Sequence, residues 1–69
     1  MELLSAIRRI IARKIVERRD PHIATVREVF ELTGKSEATQ FDEAAPLLKE
    51  GLISIGRTFN DVYYKLRKL

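Results

Sequence analysis

The chain has 69 residues and a mass of 8.0 kDa, which limits it to a single domain over 1–69 with one small core. Its formal charge is +3 and 45% of its residues are apolar, a mixture typical of a small folded domain rather than a disordered chain. With no cysteine and one histidine, the sequence excludes disulfides, thiolate metal sites and histidine metal clusters. No apolar run approaches the ~18 residues of a membrane span, and the first residues lack a secretory signal pattern. We therefore expect a cytoplasmic protein without catalytic activity, cofactor or membrane partner.

The charge is distributed unevenly along the chain. Residues 1–20 contain six bases and three acids, residues 21–50 contain three bases and six acids, and residues 51–69 contain four bases and one acid. Basic ends on either side of an acidic middle suggest a polyanionic partner, most simply nucleic acid. The alternative is an ordinary solvated surface on a small protein rich in charge.

The first predicted element is an amphipathic helix. Its apolar residues recur with helical spacing and form one broad face: Leu3, Leu4, Ile7, Ile10, Ile11 and Ile15. We expect this helix to end at Asp20–Pro21, because the residue before a proline avoids the helical region.

A short strand at 22–24 and a second helix come next. Thr25 and Glu28 have the spacing of a capping box, in which each side chain bonds the backbone amide of the other. Val26, Val29, Phe30 and Leu32 supply its apolar side chains, and Gly34 suits the left-handed residue that ends a helix.

A third helix is predicted to begin after Ser36, a good N-cap residue. Helical spacing places four apolar residues on one face, which we expect to be buried: Ala38, Phe41, Ala45 and Leu48. Pro46 predicts a kink or a break, and Gly51 ends the helix.

The remaining residues predict a β-hairpin. Residues 52–55 form the first strand, 56–61 contain turn formers and make a loop of about six residues, and 62–67 alternate as a second strand. Val62, Tyr64 and Leu66 then share one face of that strand.

This order of elements resembles a winged helix-turn-helix domain. The turn between the second and third helices matches the spacing of that family at Phe30, Gly34, Ser36 and Thr39. Leu47-Leu48-Lys49-Glu50-Gly51-Leu52-Ile53 is similar to the end of the recognition helix in MarR-like and ArsR-like regulators, and 62–66 resembles the return strand of the wing. The resemblance implies an α+β fold, mainly helical, with three helices and a C-terminal hairpin as the wing.

The family frame and the apolar periodicity disagree by one position in the third helix. The family frame buries Gln40, Ala44 and Leu47, whereas the periodicity buries Phe41, Ala45 and Leu48. We prefer the periodicity at the start of the helix, because burying a phenyl ring gains more than burying an amide.

The resemblance also implies double-stranded DNA as the partner, with the third helix in the major groove and the wing on the backbone or minor groove. The family positions correspond to the following DNA-binding candidates: Lys35, Ser36, Thr39 and Gln40 around the third helix, and Arg57, Thr58, Asn60 and Lys65 on the wing. Simpler roles stay open, since Ser36 caps the helix and Gln40 could be structural.

Three acids in the third helix, Glu37, Asp42 and Glu43, oppose DNA binding there. Our main expectation is a transcription regulator that binds duplex DNA and forms a homodimer through helix one. The alternative is a protein–protein interaction module that docks through its acidic third helix. RNA binding is less favoured because no aromatic stacking platform is apparent, and an enzyme is least favoured.

Overall fold

The computed structural model describes residues 1–67 and contains three helices and a three-stranded antiparallel sheet. The elements are α1 (Leu3–Val16), β1 (Ala24–Thr25), α2 (Val26–Thr33), α3 (Glu37–Lys49), β2 (Ile53–Arg57) and β3 (Val62–Leu66). The strand order is β1-β3-β2. The fold is therefore α+β and mainly helical, as predicted, with a layout compatible with a winged helix. Lys68, one of the bases counted in the C-terminal segment, lies outside the described residues.

The core lies where α1 crosses the other two helices and the sheet. Nine apolar residues form it: Leu3, Ala6, Ile7, Ile11, Ala24, Val29, Ala44, Ile53 and Tyr64. Among residues 1–67, no helix has both the length and the hydropathy needed to cross a bilayer.

Helix α1 ends at Val16, four residues before the predicted stop at Asp20–Pro21. Arg18 adopts a left-handed conformation with φ of 55°, and the amides of Arg18 and Arg19 donate to the carbonyls of Ile15 and Lys14. These two bonds form a Schellman closure, which satisfies the last carbonyls without a glycine. With the helix ending at Val16, Ile15, which is the last residue of the predicted apolar face, and Val16 after it are exposed to solvent.

The capping box at the start of α2 is confirmed. The Thr25 hydroxyl accepts from the Glu28 amide at 3.1 Å, and the Thr25 amide donates to Glu28 Oε1 at 3.0 Å. The preceding strand is displaced from the prediction: β1 is Ala24–Thr25 and pairs with Tyr64 and Tyr63 of β3. Gly34 ends α2 with φ of 75°, as expected.

The prediction of which α3 face is buried was wrong. Gln40 and Ala44 are buried, as the family frame required, while Ala38, Ala45 and Leu48 are exposed and Phe41 is half-buried. The free-energy cost of burying the Gln40 amide argued against this orientation of α3. That cost is offset, because every polar atom of the Gln40 side chain is hydrogen-bonded.

Pro46 lies within α3, and the helix runs past it to Lys49 without a break. The carbonyl that loses its helical partner belongs to Asp42, because proline has no amide proton to donate. The amides of Gly51 and Leu52 then donate to Leu48 and Leu47, which closes the helix with Gly51 at φ of 73°.

Strands β2 and β3 form the predicted hairpin, in a register that pairs Ile53 with Leu66 and Arg57 with Val62. The loop has four residues, Thr58–Asp61, because β2 continues through Gly56 and Arg57. Residues 56 and 57 were expected in the loop on composition, but cross-strand pairing extends the ladder over them.

Candidate nucleic-acid interface

Gln40 is a buried structural residue, and its predicted contact with DNA does not fit the structure. Its Nε2 donates to the Val26 carbonyl at 3.1 Å and to the Lys35 carbonyl at 2.9 Å, and its Oε1 accepts from the Tyr64 hydroxyl at 2.9 Å. Gln40 and Tyr64 are both fully buried. Burial raises the pKa of Tyr64 to about 12, with a further contribution from Glu37. This amide therefore connects α2, α3 and β3 and has no atom left to contact a base.

The hydroxyl groups at the start of α3 are accessible. Ser36 accepts from the Thr39 amide at 3.3 Å, so it caps the helix as predicted, and its own hydroxyl donates to Thr39 Oγ1 at 3.1 Å. Both residues are exposed. With its oxygen already accepting from Ser36, the Thr39 hydroxyl can donate its own proton outward to a phosphate or base edge.

Lys35 is held by an ion pair rather than directed at solvent. Its Nζ lies 2.7 Å from Glu43 Oε2, and the other carboxylate oxygen accepts from the Leu3 amide at 3.1 Å. The hydrogen bond from Lys35 lowers the pKa of Glu43, with a smaller contribution from the Leu3 amide. A phosphate contact by Lys35 would require breaking this pair. The pair also neutralises one of the three acids that oppose DNA binding and leaves Glu37 and Asp42.

The hairpin tip and the start of α3 line one surface groove. The groove is lined by Phe30 of α2, by Glu37 of α3 and by the following residues of the hairpin: Arg57, Thr58, Phe59 and Asn60. Arg57 pairs directly with Val62, which places it on the sheet face that also carries Tyr64 and the core. The sheet register therefore turns Arg57 toward the helices.

Lys65 belongs to a different surface from Arg57. It pairs with Ser54 and alternates with Tyr64, so it lies on the outer face of the hairpin together with Tyr63 and Arg67. The predicted contacts on the hairpin thus divide into a groove set and an outer-face set.

One aromatic residue of the hairpin, Phe59, was missed as a functional candidate from the sequence. Phe59, at the loop tip, is completely exposed, at 101% of its reference area. Tyr63 lies across Gly56 on the outer face, so closely that a Cβ on Gly56 would collide with the ring. A phenylalanine between turn formers was the available signal for Phe59.

Helix α1 contributes a second basic surface. Arg9 and Arg13 are exposed beside a cleft between α1 and α2. The Lys14 ammonium is bonded within the protein, since its Nζ donates to both Glu28 Oε1 and the Ile23 carbonyl at 2.7 Å. Although burial favours the neutral acid, hydrogen bonds from Lys14 and Thr25 hold the pKa of Glu28 below its usual value.

Comparison with known proteins gives no match: no family model, no curated protein and no solved structure matches this chain.

Proposed function

We propose that this protein binds double-stranded DNA and acts as a winged helix-turn-helix transcription regulator. The observation that carries the proposal is the shared groove, which the hairpin tip lines together with Phe30 of α2 and Glu37 at the start of α3. A helix start and a hairpin on one side of a molecule can contact a major groove and the adjoining backbone together. The basic outer face of the hairpin extends the surface available to phosphates.

The proposed contact set differs from the one predicted from sequence. It retains Ser36 and Thr39 at the start of α3, and Arg57, Thr58 and Asn60 in the groove, with Lys65 on the outer face. Gln40 is excluded because its amide is buried and fully bonded, and Lys35 is excluded because it is paired with Glu43. Few cations remain, so we expect moderate affinity with a shallow dependence on salt.

The first test is fluorescence anisotropy with a labelled random duplex at several salt concentrations. Arg57→Ala should weaken binding on every sequence and reduce the log–log salt slope by about 1, because one phosphate contact is lost. Arg19→Ala is the matched control, since the Arg19 guanidinium is exposed, lies 3.4 Å from Glu17 Oε1 and does not line the groove. Thr39→Ala should change preference between sequences. Failure of the wild-type protein to bind at high micromolar concentration in low salt would contradict the proposal.

A second experiment asks whether α3 faces the DNA. Asp42 is exposed on α3, three residues after Thr39. DNA-binding members of the winged helix-turn-helix family, which this chain resembles, often carry Arg or Lys at that position. Asp42→Arg removes a repulsive charge and adds an attractive one, so affinity should rise roughly tenfold or more at low salt if this face lies against phosphates. Glu2→Arg, an equal charge change at an exposed position before α1, is the control.

The protein-interaction alternative has its own supporting observation. The exposed face of α3 combines apolar Ala38, Ala45 and Leu48 with the acids Glu37 and Asp42, a composition suited to a basic protein partner. If Asp42→Arg leaves DNA affinity unchanged while Arg57→Ala lowers it, α3 is turned away from the duplex, and that result supports α3 as a protein-interaction surface.

A homodimer through α1 stays a prediction. The core uses Leu3, Ala6, Ile7 and Ile11, so the residues left for a partner copy are mainly Ile15 and Val16 at the end of the helix. Sedimentation equilibrium of wild-type protein and Val16→Asp tests it: a dimer that the substitution dissociates supports the α1 interface.

A further inference from the structure

The loop at the hairpin tip presents an aromatic ring entirely to solvent. Phe59 is exposed at 101% of its reference area, although the chain has only three phenylalanines and a small core that needs apolar side chains. The other side chains of the tip, Thr58 and Asn60, are polar and exposed as well. The ring therefore projects from a polar loop at the groove that Phe30 of α2 also lines, and Phe30 is itself exposed.

The loop that carries this ring is held closed. The Thr58 amide donates to the Asp61 carbonyl at 2.8 Å, and the Asp61 amide donates to Thr58 Oγ1 at 3.0 Å. The Asp61 carboxylate also lies 3.7 Å from Arg27 of α2, which ties the loop to the helices. Because the loop is already ordered, a partner that receives the ring pays little additional entropy.

The charges around the ring favour a polyanion. Arg57 is exposed two residues before Phe59, and the Asn60 side chain adds an amide donor beside it, whereas the Thr58 hydroxyl donates within the loop to the Asp61 carbonyl at 3.2 Å. Asp61, two residues after Phe59 in the chain, faces Arg27, which reduces its repulsion of phosphates. A lone apolar side chain flanked by a cation and amide donors is the arrangement by which proteins insert a wedge between base pairs from the minor groove.

We propose that Phe59 is a wedge that enters a base step of duplex DNA from the minor groove, partly unstacks it and bends the helix. This inference rests on the proposed DNA binding and goes further, because it assigns the tip ring and a deformation of the DNA. Arg57 and Asn60 then contact the backbone or base edges beside the opened step. Steps that unstack readily, TA and CA/TG, are the preferred sites of entry.

The test compares Phe59→Ala, Phe59→Leu and Leu32→Ala. The last is a control, because Leu32 is an exposed apolar residue on α2, away from the hairpin and from the proposed dimer surface on α1. Affinity is measured by anisotropy, and bending by energy transfer between dyes at the two ends of a short duplex with a central TA step. Circular dichroism checks that the variants fold, which is expected because the ring makes no core contact.

We expect wild-type protein to bend the duplex by tens of degrees. Phe59→Ala should abolish most of the bend and weaken binding on the order of tenfold, the effect of losing one base–aromatic stack. Phe59→Leu should keep part of the bend, since an aliphatic wedge can also open a step. Leu32→Ala should behave as wild type in both measurements.

A tryptophan reporter gives an independent readout. The chain contains no tryptophan, so Phe59→Trp introduces a single indole whose fluorescence is quenched if it stacks on bases. Leu32→Trp, on α2, should show no comparable quenching upon DNA addition.

The outcomes separate this proposal from the proposed function. If wild-type protein binds no duplex, both fail. If it binds but Phe59→Ala retains the affinity and the bend, the wedge is overturned and DNA binding stands. A weaker affinity with an unchanged bend and an unquenched indole also overturns insertion. Loss of self-association in Phe59→Ala, with unchanged DNA behaviour, would assign the ring to a protein interface instead.

Discussion

The hydrogen bond between Tyr64 and Gln40 is expected to be a main determinant of stability. Tyr64→Phe removes the hydroxyl that donates to Gln40 Oε1 at 2.9 Å and leaves a buried acceptor without a partner. Such a loss costs about 1–3 kcal/mol. A domain of this size has a free energy of unfolding on the order of 3–10 kcal/mol, so the substitution should remove a large fraction of it. The midpoint of thermal unfolding should fall by roughly 4–8 °C for each kcal/mol lost.

Urea unfolding followed by far-ultraviolet circular dichroism measures this change, in a cycle with Gln40→Leu. Gln40→Leu should be more damaging than Tyr64→Phe, because the Val26 and Lys35 carbonyls also lose their donor. The two substitutions share one bond, so the double variant should be more stable than the sum of the single effects predicts. A Tyr64→Phe effect below about 0.5 kcal/mol, or strict additivity, would refute the assignment of this bond as a buried structural link.

Alkaline pH gives a second measure of the same site. The pKa of Tyr64 is raised from 10.0 to about 12 in the folded protein, so the unfolded chain loses this proton first as the pH rises. The stability that comes from keeping the Tyr64 phenol un-ionised is fully present below pH 10. It is lost between about pH 10 and 12 and amounts to at most about 3 kcal/mol. Tyr64→Phe should lack this component of the alkaline decline. An identical decline in both proteins would contradict burial of an un-ionised phenol.

Three further predictions concern the scaffold around the site. Thr25→Ala removes the capping box of α2 and should lower the free energy of unfolding by about 1 kcal/mol, measured in urea. Folding lowers the pKa values of Glu28 and Glu43, so the stability that these two carboxylates contribute is present above about pH 4.5 and is lost as the pH falls through the folded pKa values. A variant with both residues replaced by Gln should therefore lose less stability than wild type between pH 7 and pH 3. Gly56→Ala should destabilise the hairpin by about 1–3 kcal/mol because the new Cβ meets the Tyr63 ring, and Tyr63→Ala should relieve that cost.

Local features of the fold were predictable from sequence because their partners lie within a few residues. The capping box joins Thr25 to Glu28, the Ser36 cap reaches the Thr39 amide, and Gly51 closes α3 with bonds to the preceding turn. The alternation of 62–66 likewise identified β3. Each of these signals depends on backbone geometry that a short segment can adopt by itself.

The phase of α3 could not be predicted in the same way. Apolar periodicity favoured Phe41 inside, whereas a buried Gln40 is favourable because its amide bonds the Tyr64 hydroxyl, 24 residues away in sequence, and the Val26 carbonyl, 14 residues away. A polar residue counts as unfavourable in a core until its partners are known, and periodicity contains no information about partners on another element.

The sequence alone determined the order of the elements, the residues that cap α2 and α3 and the concentration of basic residues at both ends. Tertiary structure alone decided which polar side chains remain accessible. Lys35 is engaged by Glu43 eight residues later, and the strand register separates Arg57 from Lys65 on opposite faces of the hairpin. The physical reason is that capping and turn formation are satisfied within one or two turns of chain, whereas exposure depends on long-range pairing that only the assembled fold provides.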